Sequence, residues 1–205
     1  MNRTRRCLLL GAAGLLAPAP ACIYGQAVPG TAMPLLRKKI PSSGEEIPVV
    51  GLGTARRYEQ PGPGLRETLA RFGALGGTVV DTAPVYGDAE AVVGNLVAEL
   101  RLRPALFLAT KVSISGREAG VRQIEQSFGQ LRAARIDLIA VHNLRDTQAH
   151  LATLRELERE GRIRYVGITT SSDRQYADFE QTMRLCMSAR PDGTWINEEL
   201  IAAYV

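Results

Sequence analysis

Residues 78–87 read Thr-Val-Val-Asp-Thr-Ala-Pro-Val-Tyr-Gly, and this stretch decides how the rest of the sequence is interpreted. Its first half, Thr78–Asp81, is a short β-branched run that a carboxylate closes. A continuous run of this kind is typical of a parallel strand covered on both faces. Asp81 and Tyr86 therefore lie at and just beyond the carboxyl end of a predicted strand, where parallel α/β folds bind their ligands.

Similar apolar runs recur on both sides of this stretch, and amphipathic segments with helical spacing separate them. The other four runs are Val49–Thr54, Leu106–Lys111, Leu138–His142 and Tyr165–Thr169. The apolar helical faces are Leu65, Leu69 and Phe72; Val92, Val93, Leu96 and Leu100; Val121, Ile124, Phe128 and Leu131; Leu151, Leu154 and Leu157; and Tyr176, Phe179 and Met183. Five strand-helix units in succession predict an α/β fold with a parallel sheet. The pattern alone does not separate a barrel from an open doubly wound sheet.

Two polar residues end further runs, so that four candidate side chains share one edge of the predicted sheet. Lys111 ends the third run and His142 the fourth, as Asp81 ends the second. Each alone has an ordinary structural interpretation: Asp81 as a cap, Tyr86 as a packing residue, Lys111 as a solvated end and His142 as a core histidine. Their joint placement favours an active site.

At this point the sequence resembles the aldo-keto reductase superfamily. The segment 81–87, followed by Ala89-Glu90 and Gly94, is similar to that family's Asp-Thr-Ala-x-x-Tyr-Gly signature. Further matches in order and spacing are Gly51–Thr54, Thr110–Val112 and Leu138–His142. The resemblance covers residues 37–182 and implies a (β/α)8 barrel of the TIM type. It also implies that a β-hairpin, Arg37–Ile40 and Ile47–Val50 around a Ser42–Gly44 turn, plugs the barrel floor.

The resemblance further implies a catalytic tetrad of Asp81, Tyr86, Lys111 and His142 for the reduction of a small carbonyl compound. Tyr86 would act as general acid, and the Lys111 ammonium would stabilise the anion that Tyr86 leaves behind. Asp81 would keep Lys111 charged and oriented. His142 would hydrogen-bond the carbonyl oxygen as a neutral imidazole, whose tautomer the sequence does not fix.

The family's cofactor is expected to be NADP(H), with NAD(H) as the alternative, and no metal site is predicted. By resemblance the cofactor contacts are Gly53, Thr54, Asp81, Thr169 and Thr170. The family's usual Gly-Val-Ser-Asn reads Gly-Ile-Thr-Thr at residues 167–170, so the asparagine amide is missing. The glycine-rich segment 73–77 precedes a strand instead of following one, which disfavours a dinucleotide fingerprint and an open doubly wound fold.

The resemblance also predicts an incomplete barrel, with 37–184 as the partial domain and 185–205 as an atypical tail. Complete barrels need about 250 residues, and family members continue through three more strand-helix units that residues 185–205 do not resemble. The first and fifth strands would then present open edges, through which self-association is expected. The alternative function is therefore an inactive remnant or an interaction protein of the same family.

Residues 1–27 resemble a secretory leader, and residues 28–36 a linker. Basic residues precede the apolar run Cys7–Ala17, which is shorter than the roughly 20 residues of a membrane span. The pair Arg5-Arg6 predicts twin-arginine export to the periplasm, with an ordinary secretory leader as the alternative. Cleavage is expected after Ala27, with cleavage after Ala21 as the alternative and lipid attachment at Cys22 as another option. The leader carries three of the 25 basic residues, leaving 22 against 21 acidic ones, so no nucleic-acid partner is expected.

Overall fold

The computed structural model describes residues 35–172 together with residues 175, 178, 179 and 181. The predicted leader at 1–27 and the predicted tail at 185–205 lie outside these residues, as do Tyr176 and Met183 of the predicted fifth helix. Within the described residues an antiparallel hairpin precedes a five-stranded parallel sheet. The predicted parallel α/β architecture with an N-terminal hairpin is therefore confirmed.

The elements follow one another in the predicted alternation. The hairpin consists of β1 (Arg37–Lys39) and β2 (Glu46–Pro48), and the parallel strands are β3 (Leu52–Gly53), β4 (Val79–Asp81), β5 (Phe107–Val112), β6 (Ile136–His142) and β7 (Ile163–Thr169). The helices are α1 (Leu65–Ala74), α2 (Ala89–Glu99), α3 (Arg117–Gln130) and α4 (Thr147–Arg159), with a short 3-10 turn at Arg103–Ala105. Helix α4 ends just before Gly161, whose φ of 72° suits a glycine after a helix.

The strand order distinguishes the barrel from the open alternative. The sheet runs β3-β4-β5-β6-β7, so each strand lies beside the next one in the sequence. A doubly wound sheet reverses its order at a switch point, whereas a barrel does not. In the parallel register Gly53 pairs with Asp81, Asp81 with Ala109, and His142 with Thr169. The polar strand ends therefore share one edge of an incomplete (β/α) barrel, as predicted.

Two apolar clusters lie on opposite faces of the sheet, as strand alternation requires. The helices cover one face, where Leu69, Ile124 and Leu154 are at most 1% exposed. The hairpin covers the other face through Ile40 and Ile47, which pack in one cluster with side chains from the starts of the strands. Those partners are Val79, Phe107 and Ala109, with Leu138 and Tyr165 at the margin. The hairpin thus lies at the end of the sheet opposite the polar strand ends.

Two strands begin earlier than the sequence predicts, and one ion pair explains both differences. β6 begins at Ile136 instead of Leu138, and β7 at Ile163 instead of Tyr165. The extra residues include Asp137 and Arg164, whose side chains bond each other at 2.9 Å. A charged residue breaks an apolar run in the sequence, but paired charges on neighbouring strands are compatible with a sheet.

The first parallel strand is shorter than predicted. β3 contains only Leu52–Gly53, whereas the apolar run extended from Val49 to Thr54. The Val49 amide donates to the Leu36 carbonyl at 3.0 Å, and the Val50 side chain is 65% exposed. The prediction was wrong for these two valines, because they continue from the hairpin and do not enter the parallel sheet.

Candidate active site

The centre of the site is a buried ion pair between neighbouring strands. Lys111 Nζ lies 2.6 Å from Asp81 Oδ2 and donates a second hydrogen bond to the Thr82 carbonyl at 2.8 Å. Asp81 pairs with Ala109 in the parallel register, and Lys111 lies two residues further along β5. Side chains two residues apart point to the same face of a strand, so the register brings amine and carboxylate together.

The electrostatics of this pair follow from its burial. Lys111 is only 6% exposed, so its ammonium depends on the carboxylate and the Thr82 carbonyl to replace water. Burial raises the pKa of Asp81, and the adjacent Lys111 ammonium opposes that rise. The carboxylate and the carbonyl thus give this buried amine two hydrogen-bond acceptors near the end of β5.

Tyr86 lies in a tight loop directly after β4. Its amide donates to the Ala83 carbonyl at 3.0 Å, and Gly87 follows with a φ of 56°. A Cβ added to Gly87 would lie 2.8 Å from the Glu59 carbonyl oxygen, so a larger residue would push this loop outward. The loop holds the Tyr86 ring with its centroid 5.1 Å from Lys111 Nζ. A cation at this distance interacts favourably with the ring.

His142 completes the cluster from the end of β6. Its ring lies edge-on to Tyr86, with the centroids 6.1 Å apart and the planes at 90°. Burial lowers the pKa of His142 to about 4, assisted by the positive charges of Lys111 and Arg145. The imidazole is therefore neutral near pH 7. The structure thus brings all four candidate side chains into one cluster, while their catalytic roles stay a prediction.

The predicted cofactor residues fall into two groups. The Thr54 and Thr169 hydroxyls are buried, and neither has a hydrogen-bond partner among the described residues. A Cβ built on Gly53 would have no neighbouring atom within 4 Å. The Thr170 hydroxyl, in contrast, donates to Gln175 Oε1 at 2.6 Å. Two hydroxyls, at the ends of the first and the fifth strands, are thus available for a ligand, and a third is already engaged.

A buried carboxylate near the site was not among the predicted residues. Glu90, on the inner face of α2, is 1% exposed and accepts hydrogen bonds from the Thr110 hydroxyl at 2.5 Å and the Ser127 hydroxyl at 3.1 Å. Burial raises the pKa of Glu90. It ties α2 to β5 through Thr110 and to α3 through Ser127. The signal in the sequence was its spacing with Val93 and Val97, which places a carboxylate on an apolar helical face.

Two more polar residues hold the loops around His142. Asn143 follows it with a φ of 53°, and its Oδ1 accepts hydrogen bonds from the Ser171 amide at 2.8 Å and hydroxyl at 3.0 Å. Ser113 Oγ lies 2.8 Å from His142 Nδ1. Nothing in the sequence pattern singled out either residue, because each acts through a loop that is distant along the chain.

Two absences hold for the described part of the chain. Among residues 35–172, 175, 178, 179 and 181, no three His, Cys, Asp or Glu side chains are grouped so that they could hold a metal ion. None of the helices in these residues has the length and apolar character needed to cross a bilayer.

Comparison with known proteins agrees with this geometry. The sequence model of the aldo/keto reductase family matches residues 49–188. Aldo-keto reductase YhdN of Bacillus subtilis is 31% identical over 128 residues, which are 55% of this chain and 39% of that protein. Methylglyoxal reductase YeaE of Escherichia coli is 32% identical over 158 residues, 73% of this chain and 54% of that protein. This chain therefore spans about half the length of the curated relatives that it matches.

Solved structures show the same relationship. An aldo/keto reductase from Klebsiella pneumoniae in complex with NADP and acetate aligns with a TM-score of 0.57 and 28% identity, covering 77% of this chain and 56% of that one. An aldo-keto reductase of Pseudomonas aeruginosa aligns with a TM-score of 0.61 and 25% identity, covering 71% of this chain and 64% of that one.

Proposed function

This chain belongs to the aldo/keto reductase family, and we propose on that premise that it reduces an aldehyde or ketone with Tyr86 as general acid. The observation that carries the proposal is the position of the Lys111 ammonium. It lies between the Asp81 carboxylate, at 2.6 Å, and the Tyr86 ring, at 5.1 Å from the centroid. A cation held beside the ring can stabilise the negative charge that develops on Tyr86 during proton transfer.

Carbonyl reduction needs a hydride on carbon and a proton on oxygen. A bound nicotinamide nucleotide supplies the hydride. The Tyr86 hydroxyl gives its proton to the developing alkoxide, and the Lys111 ammonium stabilises the resulting phenolate. Asp81 holds Lys111 charged, because an ammonium buried without a counter-charge is costly. His142 donates a hydrogen bond from its neutral ring to the carbonyl oxygen and orients the substrate.

We propose NADP(H) as the nucleotide, with NAD(H) as the alternative. The unpaired hydroxyls of Thr54 and Thr169 fit this proposal, because a buried hydroxyl without a partner has a hydrogen bond to offer a polar ligand. A Cβ built on Gly53, the neighbour of Thr54, would have no atom within 4 Å, so this strand end is open to a ligand. The structurally similar Klebsiella pneumoniae reductase is in complex with NADP, which supports the phosphorylated form. The Thr170 hydroxyl is less available to the nucleotide than the resemblance predicts, because it already donates a hydrogen bond to Gln175 Oε1.

The test is a titration of NADPH with the purified protein, followed by turnover. Binding should quench or shift the nucleotide fluorescence. Methylglyoxal is the first substrate to assay, because one relative is a methylglyoxal reductase, and its reduction would consume NADPH absorbance. Quenching together with consumption supports the proposal. A well-folded chain with neither signal for NADPH or NADH supports the alternative, an interaction protein without activity.

Two further proposals concern assembly and location. In the described residues β3 and β7 each pair with one neighbour only, and we propose that chains self-associate through these edges. Light scattering should then show an oligomer, and a monomer at all concentrations would contradict the idea. We also propose twin-arginine export, which rests on Arg5 and Arg6 in the part of the chain outside the described residues. Cytoplasmic retention of the full chain after fractionation would contradict it.

A further inference from the structure

We propose that Ser113 is a positioning residue that fixes the tautomer of His142: its hydroxyl donates to Nδ1, so that the ring's only N–H is at Nε2. The observation is the 2.8 Å distance between Ser113 Oγ and His142 Nδ1, across 29 residues of sequence. This inference rests on the proposed function, in which His142 donates a hydrogen bond to the carbonyl oxygen.

The position of Ser113 is fixed from its backbone. It follows β5 directly, two residues after Lys111, and its amide donates to Gln123 Oε1 of α3 at 2.6 Å. At the other end of the same loop, the Gly116 amide donates to Asp146 Oδ2 at 2.7 Å. Both anchors are side chains of neighbouring elements, so the loop presents the Ser113 hydroxyl to the imidazole at a defined place.

The Ser113 hydroxyl can donate to Nδ1 or accept from it, and the proposed role of His142 selects between these two directions. A neutral imidazole has one N–H and one lone pair, and a carbonyl oxygen accepts only from the N–H. Ser113 occupies Nδ1, which leaves Nε2 to meet a substrate. His142 is therefore useful to the reaction only if Nδ1 is the acceptor and the serine hydroxyl the donor. In the described residues, His142 Nδ1 is the only acceptor recorded for the Ser113 hydroxyl.

A fixed tautomer has a measurable consequence for catalysis. If the two tautomers interconverted freely, a fraction of the molecules would present a lone pair to the carbonyl oxygen, and the two lone pairs would repel. The hydrogen bond that fixes the ring should therefore increase kcat more than it changes KM. An equal mixture of the two tautomers should lower kcat about twofold, and a larger fraction of Nδ1-protonated rings should lower it further.

The first measurement needs no variant. The chain contains two histidines, His142 and His150, so ¹⁵N-histidine labelling of the full chain gives two ring systems, and the His142→Gln spectrum assigns them. We expect His142 Nε2 to be protonated and Nδ1 to be unprotonated at pH 7. Protonation at Nδ1 instead would overturn the proposal, and it would do so in the absence of substrate.

Variants then test the role of the hydroxyl. In Ser113→Ala the His142 resonances should shift toward a mixture of tautomers, and kcat for methylglyoxal and NADPH should fall in proportion to the fraction of rings that lose the Nε2 proton, with little change in KM. Ser113→Thr, which retains the hydroxyl, should restore both. The matched control is Ser43→Ala, which removes a hydroxyl that bonds Tyr165 at 2.7 Å at the opposite end of the sheet. Equal behaviour of Ser113→Ala and Ser43→Ala would refute the role.

These measurements separate this inference from the proposed function. An inactive wild-type chain overturns the reduction chemistry, while the change in the His142 tautomer between the wild-type and Ser113→Ala spectra still decides whether Ser113 fixes the ring. Conversely, an active enzyme with Nδ1 protonated overturns the role of Ser113 alone. If Ser113→Ala does not fold, the native spectrum still tests the contact, because an Nδ1 resonance without the shift caused by an accepted hydrogen bond would overturn the proposal.

Discussion

Lys111 Nζ lies 2.6 Å from Asp81 Oδ2, although 30 residues separate the two in the sequence. The contact joins the carboxyl ends of the adjacent parallel strands β4 and β5. The Tyr86 ring packs against the Lys111 ammonium. Four tests of the site and its surroundings follow from this contact and from the buried groups around it.

Tyr86→Phe should abolish turnover and leave nucleotide binding intact. The substitution removes the proton donor but keeps the ring that packs near Lys111, and a lost general acid lowers rates by about 10²–10⁴. Turnover and NADPH fluorescence are measured on the same preparation. Tyr165→Phe is the control, because that hydroxyl bonds Ser43 and Glu45 at the hairpin end of the sheet. Normal turnover in Tyr86→Phe would refute its assignment as the acid.

Asp81→Asn should destabilise the fold more than the double variant Asp81→Asn with Lys111→Met. The single change leaves a buried ammonium without its counter-charge, at a cost of about 3 kcal/mol, whereas the double change removes both charges. Urea unfolding measures the free energies, and neither variant should turn over substrate. As a control, Glu99→Gln breaks an exposed pair with Arg66 and should have little effect. A double variant less stable than Asp81→Asn would contradict the buried-pair interpretation.

His142 should make the fold less stable as the pH falls from about 6.5 to about 4. Its pKa is lowered from 6.5 to about 4 in the folded state, so the unfolded chain binds more protons in this range and stability decreases toward low pH. The His142→Gln variant should lack this decrease in stability toward low pH. The measurement is the difference in unfolding free energy between the two proteins at pH 7 and pH 4.5. A difference that does not change with pH would show that the histidine is not held neutral.

Glu90 should have the opposite effect on stability. Its pKa is raised in the folded state, so the folded chain binds the extra proton above the ordinary glutamate pKa, and stability falls as pH rises through this range. Glu90→Gln keeps one acceptor oxygen for the Thr110 hydroxyl and presents an NH2 donor toward the Ser127 oxygen, without a buried charge. We expect the stability of Glu90→Gln relative to the wild type to improve from acid to neutral pH. If the difference in unfolding free energy between the two proteins stays constant or changes in the other direction with pH, burial does not disfavour the charged form of Glu90.

The strand order of the sheet and the residues of the central cluster could be predicted from the sequence. Apolar runs alternating with helical faces predict parallel strands, and parallel strands direct their carboxyl ends to one edge. Asp81, Lys111 and His142 each end such a run, and the structure brings them together with Tyr86. The barrel, as opposed to the open sheet, rested on the family resemblance and on the missing dinucleotide fingerprint, and the strand order confirms it.

The ends of the strands could not be predicted from the sequence, because they depend on residues that are close in space but distant in the chain. Asp137 and Arg164 interrupt their apolar runs, yet both lie inside strands since each neutralises the other. Val49 and Val50 have the composition of a strand but continue from the hairpin.

The sequence by itself determined which chemical groups stand at the strand ends, because strand polarity and residue spacing are properties of the chain. Only the tertiary structure decided what surrounds those groups. The hydroxyl of Ser113 at the His142 ring and the burial of Glu90 between α2, β5 and α3 depend on loops and helices that meet far apart in the sequence. Hydrogen bonds of this kind require atoms within about 3 Å of each other, and no periodic pattern along the chain encodes such a distance.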